Sequence, residues 1–118
     1  MIDNSDGHRE YLLTVKNRVV DVCKGMLQGN VDMISGARKL AEYNYQLFGE
    51  IIDDDFLPIV NFNEQTDDMP IGNQRQYYSE EFLSRMDKTY TEFEAKVKQE
   101  IFDACHKLIE RYSSLQDV

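Results

Sequence analysis

The chain has 118 residues, with 13 Lys+Arg against 22 Asp+Glu and a formal net charge of −9. That balance excludes a DNA- or RNA-binding module, which needs a basic footprint for phosphates, and disfavours docking on anionic membrane. With 42% hydrophobic residues, 30% charged residues and only two prolines, the composition is that of one folded domain spanning residues 1–118.

The first periodic segment runs from about Asp6 to Gln28. Leu12, Val15, Val19, Val22 and Met26 recur at steps of 3, 4, 3 and 4, and Leu13, Val20, Cys23 and Leu27 widen the stripe. Asp6 is the expected N-cap and Gly29-Asn30 the stop. A second helix is expected from about Asp32 to Phe48. Ile34, Ala37, Leu40, Ala41, Asn44, Leu47 and Phe48 mark its inner face, and Gly49 ends it. Gly36 and Ala37 would let a partner helix approach closely. The short link between the two segments predicts an antiparallel pair.

Residues 49–78 change character. Both prolines of the chain, Pro58 and Pro70, lie here, together with Gly49, Gly72, Asn61, Asn63 and Asn73. Asp53-Asp54-Asp55 is expected to cap a short helical turn through Phe56 and Leu57, with Pro58 starting or interrupting a further turn. Phe56, Leu57, Ile59, Val60 and Phe62 are too apolar for a free loop, so the connection should be ordered and pinned to the bundle by these side chains.

Ser79 is the expected cap of a long final helix, with Glu80 and Glu81 in its first turn, where acids favour the helix dipole. Met86, Tyr90, Phe93, Val97, Ile101, Ala104 and Leu108 form one stripe with a mean step of 3.67. That is the period of an ordinary straight helix rather than of a left-handed coiled coil. Extended to Tyr112, the helix would be about 50 Å long. A 118-residue globule does not need such a length. The sequence therefore predicts either a kink near Thr89-Tyr90-Thr91 or packing of part of the helix on another chain. Ser113 to Val118 is expected to fray. The fold class is all-α: a small helical bundle with an N-terminal antiparallel helix pair, an ordered acidic connection and a long C-terminal helix.

The charge is segregated along this framework. No basic residue falls between Lys39 and Arg75, an interval that holds Glu42, Glu50, Asp53, Asp54, Asp55, Glu64, Asp67 and Asp68. So −8 of the −9 resides in residues 40–74. Like charge gathered this densely costs stability, and it raises the capture rate of a basic partner. Asp53, Asp54, Asp55, Glu64, Asp67 and Asp68 are the candidate partner-binding acids. Tyr77 and Tyr78 are the candidate apolar anchors, since tyrosine is favoured at interfaces.

Signals for chemistry are sparse. There is no Gly-x-Ser-x-Gly, P-loop or Gly-x-Gly-x-x-Gly motif, and His8 and His106 are the only histidines. Counted from Asp53 as a calcium loop, position 6 is Pro58 where a Gly is required. Glu50-x-x-Asp53, Glu64-x-x-Asp67 and Glu100-x-x-Asp103 keep a magnesium-dependent all-α nucleotide hydrolase as an alternative. Two of these pairs lie in the proline-broken connection, and no Lys or Arg stands near them in sequence to hold phosphates. The expectation is a non-enzyme with no catalytic residues, metal site or cofactor. Cys23 and Cys105 read as buried thiols in a reducing compartment rather than as a disulfide. The polar N-terminus is not a signal peptide, and no apolar run approaches the roughly 18 residues of a membrane span, so the expected location is cytoplasmic.

Residues 36–87 carry a series of short motifs. They are Gly36-Ala37-Arg38-Lys39-Leu40-Ala41, Asp55-Phe56-Leu57, and Thr66-Asp67-Asp68-Met69-Pro70-Ile71-Gly72, followed by Arg75, Tyr78-Ser79-Glu80-Glu81-Phe82-Leu83 and Asp87. In this order they resemble a family of small bacterial all-α domains without an assigned activity. Gln65 and Tyr78 stand where that pattern has Glu and Trp. The overall profile also resembles immunity proteins of contact-dependent and polymorphic toxin systems, which are small and often acidic and neutralise basic nuclease domains. That resemblance implies a cytoplasmic inhibitor whose partner is the basic C-terminal domain of a cognate toxin, a nuclease. The other alternative is a non-enzymatic scaffold that forms a homodimer through the long C-terminal helix.

Overall fold

The computed structural model describes residues 5–69 and 72–113. Four α-helices follow one another as α1 (Ser5–Gln28), α2 (Met33–Phe48), α3 (Leu57–Gln65) and α4 (Glu80–Ser113), with a 3-10 helix over Gly72–Tyr77 leading into α4. No strand occurs among the described residues, so the chain is all-α, with the expected N-terminal pair and long last helix. Pro70, Ile71 and the expected fraying tail beyond Ser113 lie outside the described residues.

α1 begins at Ser5, so Asp6 stands inside its first turn and does not cap it. Its end matches the expectation. Gly29 takes φ 81°, and the N–H groups of Gly29 and Asn30 donate to the carbonyls of Met26 and Gly25 at 3.3 and 2.8 Å. This paired arrangement satisfies two of the orphan carbonyls at the helix end. Asp32 then caps α2, its carboxylate accepting from the Ser35 N–H at 3.1 Å. Gly49 closes α2 with φ 68°. Gly36 and Ala37 are both buried, and a Cβ on Gly36 would run into the Met26 side chain. The small residues are what lets α1 and α2 approach.

α3 differs from expectation in extent and in its cap. It is a nine-residue helix with Pro58 in its first turn, and Phe56 occupies the cap position without a side-chain hydrogen bond. Asp53 instead folds back on its own turn, its carboxylate accepting from the Asp55 N–H at 3.0 Å. Phe56, Ile59, Val60 and Phe62 are buried as expected. Leu57 is not: it is 41% exposed, because one helical step of about 100° from Phe56 turns it outward. Phe62 stacks on Phe93 of α4, with ring centroids 5.7 Å apart.

α4 is one unbroken helix of 34 residues, about 51 Å long, and accounts for most of the 60 Å long axis of the molecule. No kink interrupts Thr89-Tyr90-Thr91, where the Thr91 hydroxyl donates to the Asp87 carbonyl at 2.8 Å within the helix. The Ser79 Oγ accepts from the Phe82 N–H at 3.1 Å, which makes Ser79 the cap that the sequence predicts. The fully buried residues of α4 are Ile101, Ala104, Cys105, Leu108 and Tyr112, all in its carboxyl-terminal part. Met86, Tyr90, Phe93 and Val97 are only partly buried. The cause is length: α1 has 24 residues and α2 has 16, too short to sheathe a 34-residue helix.

Cys23 of α1 and Cys105 of α4 are free thiols with no exposed surface. Their mutual hydrogen bond, followed by burial, pushes the Cys23 thiol up and keeps it protonated.

Candidate partner-binding surface

The acidic connection is built from two tethers and one short helix. At its start, Asn44 is buried on the inner face of α2. Its amide donates to the Ile51 carbonyl at 3.1 Å and accepts from the Asp53 N–H at 3.1 Å. A buried side-chain amide needs such partners, and here they fix the entry of the loop. Arg111, in the last turn of α4, then reaches across and donates to Asp53 at 2.8 Å and Asp55 at 3.2 Å. Burial works against the charge on Arg111, and the hydrogen bonds to these two carboxylates outweigh it and hold its pKa above the ordinary value. Asp54, between them, is exposed. It shares a groove with Asp55, Lys96, Glu100, Asp103 and Lys107, a mixed lining in which acids outnumber lysines.

At the far end of α3, Arg38 donates to the carbonyls of Thr66 and Met69, both at 3.3 Å. Thr66 is buried, with its hydroxyl bonded to the Phe62 carbonyl at 2.8 Å. Arg38 thus holds the chain through backbone oxygens and leaves the carboxylates of Asp67 and Asp68 exposed. Glu64 is exposed on α3.

The candidate residues are held at different points along α4. Asp53–Asp55 sit beside Arg111 in the last turn of α4, whereas Tyr77 and Tyr78 precede its first residue, Glu80. Asp53 and Asp55 are thus tied to the end of α4 opposite the one that Tyr77 and Tyr78 precede, and Asp54 and Asp55 also border its middle, at Lys96 and Glu100. Asp53–Asp55 and Asp67–Asp68 also flank α3, which is about 13 Å long. Tyr77 and Tyr78 stand at the amino-terminal end of α4. There Tyr77 is 80% exposed, and Tyr78 is 46% exposed and stacks on Phe82 at 5.1 Å.

A bidentate pair sets the position of the two tyrosines. Arg75 of the 3-10 helix donates to both carboxylate oxygens of Asp87 at 2.9 and 2.7 Å. The guanidinium holds the Asp87 carboxyl below the ordinary carboxylate range. Sequence reasoning singled out Arg75 and Asp87 only as members of the motif series. Arg111 carried no sequence signal, because its partners lie 56 and 58 residues away. Asn44, a polar residue on an apolar helix face, was a usable signal for a buried tether.

Among the described residues, no three His, Cys, Asp or Glu side chains gather where they could hold a metal ion. His8 and His106 are exposed. Among the same residues, no helix is long and apolar enough to cross a membrane.

A family model described as a protein of unknown function (DUF2489) matches residues 13–108. Comparison with curated proteins and with solved structures gives no match. The matched stretch contains α2, α3, the whole 36–87 motif series and the Arg75–Asp87 pair. The chain belongs to the DUF2489 family, for which no activity is assigned.

Proposed function

We propose that this protein is a non-enzymatic, cytoplasmic immunity protein that neutralises a basic toxin domain, a nuclease, through its exposed acids. One observation carries the reading. Of the eight acids in residues 40–74, six (Glu42, Glu50, Asp54, Glu64, Asp67 and Asp68) are exposed and in no ion pair among the described residues. Two of the cations that reach this stretch are already engaged, Arg111 with Asp53 and Asp55 and Arg38 with backbone carbonyls, while Lys96 and Lys107 border the groove of Asp54 without an ion pair among the described residues. A partner with an open cationic cleft would relieve that uncompensated charge, and the field speeds its capture. The exposed Tyr77 and Tyr78 supply apolar area at the entry to α4. Asp53 and Asp55 take the role of internal ties, so the binding face is centred on Glu64, Asp67, Asp68, Tyr77 and Tyr78.

The test is co-expression with the toxin domain encoded by the neighbouring upstream gene. The reading expects a stable complex with a basic domain and survival of the host cell. A toxin that kills equally well with and without this protein, and does not co-purify with it, overturns the reading.

A second reading, a dimeric scaffold, draws on α4, whose first twenty residues include no fully buried side chain. Sedimentation of the isolated chain separates the two: a monomer removes the scaffold.

A further inference from the structure

We propose that the cleft formed by α1, the end of α2 and the end of α4 binds a small organic carboxylate with an apolar body. The cleft encloses about 330 Å³ and is lined by Leu12, Lys16, Leu47, Phe48, Arg111 and Tyr112. Small-molecule sites run from about 300 to 1,000 Å³, so this one suits a compact ligand. Four of its six lining residues are aliphatic or aromatic, two are cations, and none is an acid. In a chain with a net charge of −9, that lining runs against the general trend.

The two cations share one ring. The Lys16 ammonium lies 5.8 Å from the Tyr112 ring centroid and the Arg111 guanidinium 5.0 Å from it. Arg111 also lies 5.6 Å from the Phe48 ring. Only Arg111 has counter-ions, and they occupy one side of it: Nη1 donates to both Asp53 and Asp55. Its Nε and Nη2 have no partner among the described residues. That edge of a guanidinium carries the parallel N–H pair that takes a carboxylate in a fork. The two aspartates hold the group in place, so the fork is ordered before a ligand arrives. Lys16 is in no ion pair among the described residues. Tyr112 is 4% exposed, and its buried hydroxyl lacks a hydrogen-bond partner. The cleft therefore contains one unmatched cation and one half-used guanidinium beside an apolar wall. A carboxylate supplies Lys16 with a counter-ion, and its apolar body covers Leu12, Leu47 and Phe48. A bare anion lacks the body, and an alcohol lacks the charge.

The test is titration of the full ¹⁵N-labelled chain with hexanoate, followed by NMR, with acetate and hexanol in parallel. The proposal expects saturable shifts at Leu12, Lys16, Leu47 and Arg111 with hexanoate, and binding at least about tenfold weaker for acetate and hexanol. Arg111→Lys keeps the charge but loses the fork, and Lys16→Gln removes a charge that is in no ion pair with Asp53 or Asp55. Each should weaken hexanoate about five- to tenfold, and either alone serves if the other fails to fold. Absence of saturable shifts through the millimolar range, equal binding of acetate and hexanoate, or unchanged affinity in the folded variants overturns the proposal.

Discussion

Arg111 donates to Asp53 at 2.8 Å and so joins the last turn of α4 to the loop before α3. The most conspicuous acids of the sequence are therefore partly internal. The Asp53 side chain is only 17% exposed, and it also accepts from the Asp55 N–H. Removing it strands two donors. Asp53→Ala should cost about 1–2 kcal/mol in urea unfolding, whereas exposed Asp54→Ala should stay within about 0.5 kcal/mol. Equal effects at the two positions would contradict the tie.

The other end of the connection is held by packing. Phe62 is 1% exposed and contacts the rings of both Phe93 and Tyr90. Phe62→Ala should destabilise by about 3–5 kcal/mol, the range for deleting a buried aromatic. Leu57→Ala, on the outer side of the same helix, should cost less than about 1 kcal/mol. Thermal or urea unfolding of the two variants checks the assignment of faces.

Gly36 gives a prediction that opposes intrinsic propensity. Alanine is a better helix former than glycine by about 1 kcal/mol. A Cβ at residue 36 would nevertheless meet Met26 Cγ at 2.6 Å, and Met26 is itself 2% exposed. Gly36→Ala should therefore lose about 1–3 kcal/mol through overpacking. A gain in stability would show that α1 and α2 are farther apart than the structure places them.

The Arg75–Asp87 pair is expected to release in acid. Its hydrogen bonds lower the Asp87 pKa from an ordinary 3.8, so the tie is intact above that value and is lost as the pH falls through the lowered pKa. Both partners are well exposed, so global stability should change little. The measurement is the chemical shift of Tyr77 and Tyr78 against pH. It should show a step below the ordinary carboxylate range, and Asp87→Asn should abolish that step. A step that persists in Asp87→Asn would assign it elsewhere.

The elements legible in the sequence are those set by local chemistry. The stripes of α1, α2 and α4, the Gly29 and Gly49 stops and the Ser79 cap follow from periodicity and from capping or φ requirements. The placement of the acids depends on pairings that periodicity does not encode. Asp53-Asp54-Asp55 has the composition of a cap, and Arg111, more than fifty residues away, made part of it a tether. The attachment of the candidate residues at different points of the bundle has a related reason. Sequence proximity within residues 40–78 says nothing of a 34-residue helix that holds Asp53 and Asp55 from its last turn and has Tyr77 and Tyr78 ahead of its first. The Arg75–Asp87 clamp was visible as two motif members, but its geometry emerges only when the 3-10 helix folds back on α4.

The most direct test of the acidic-face account is the salt dependence of binding to the upstream-encoded toxin domain. Wild-type protein is compared with a variant carrying Glu64→Gln, Asp67→Asn and Asp68→Asn, three exposed positions outside the ion pairs. The account predicts an unchanged melting temperature, an affinity at least about tenfold weaker and a shallower loss of affinity with added salt. Equal affinity and equal salt dependence in the two proteins would contradict it.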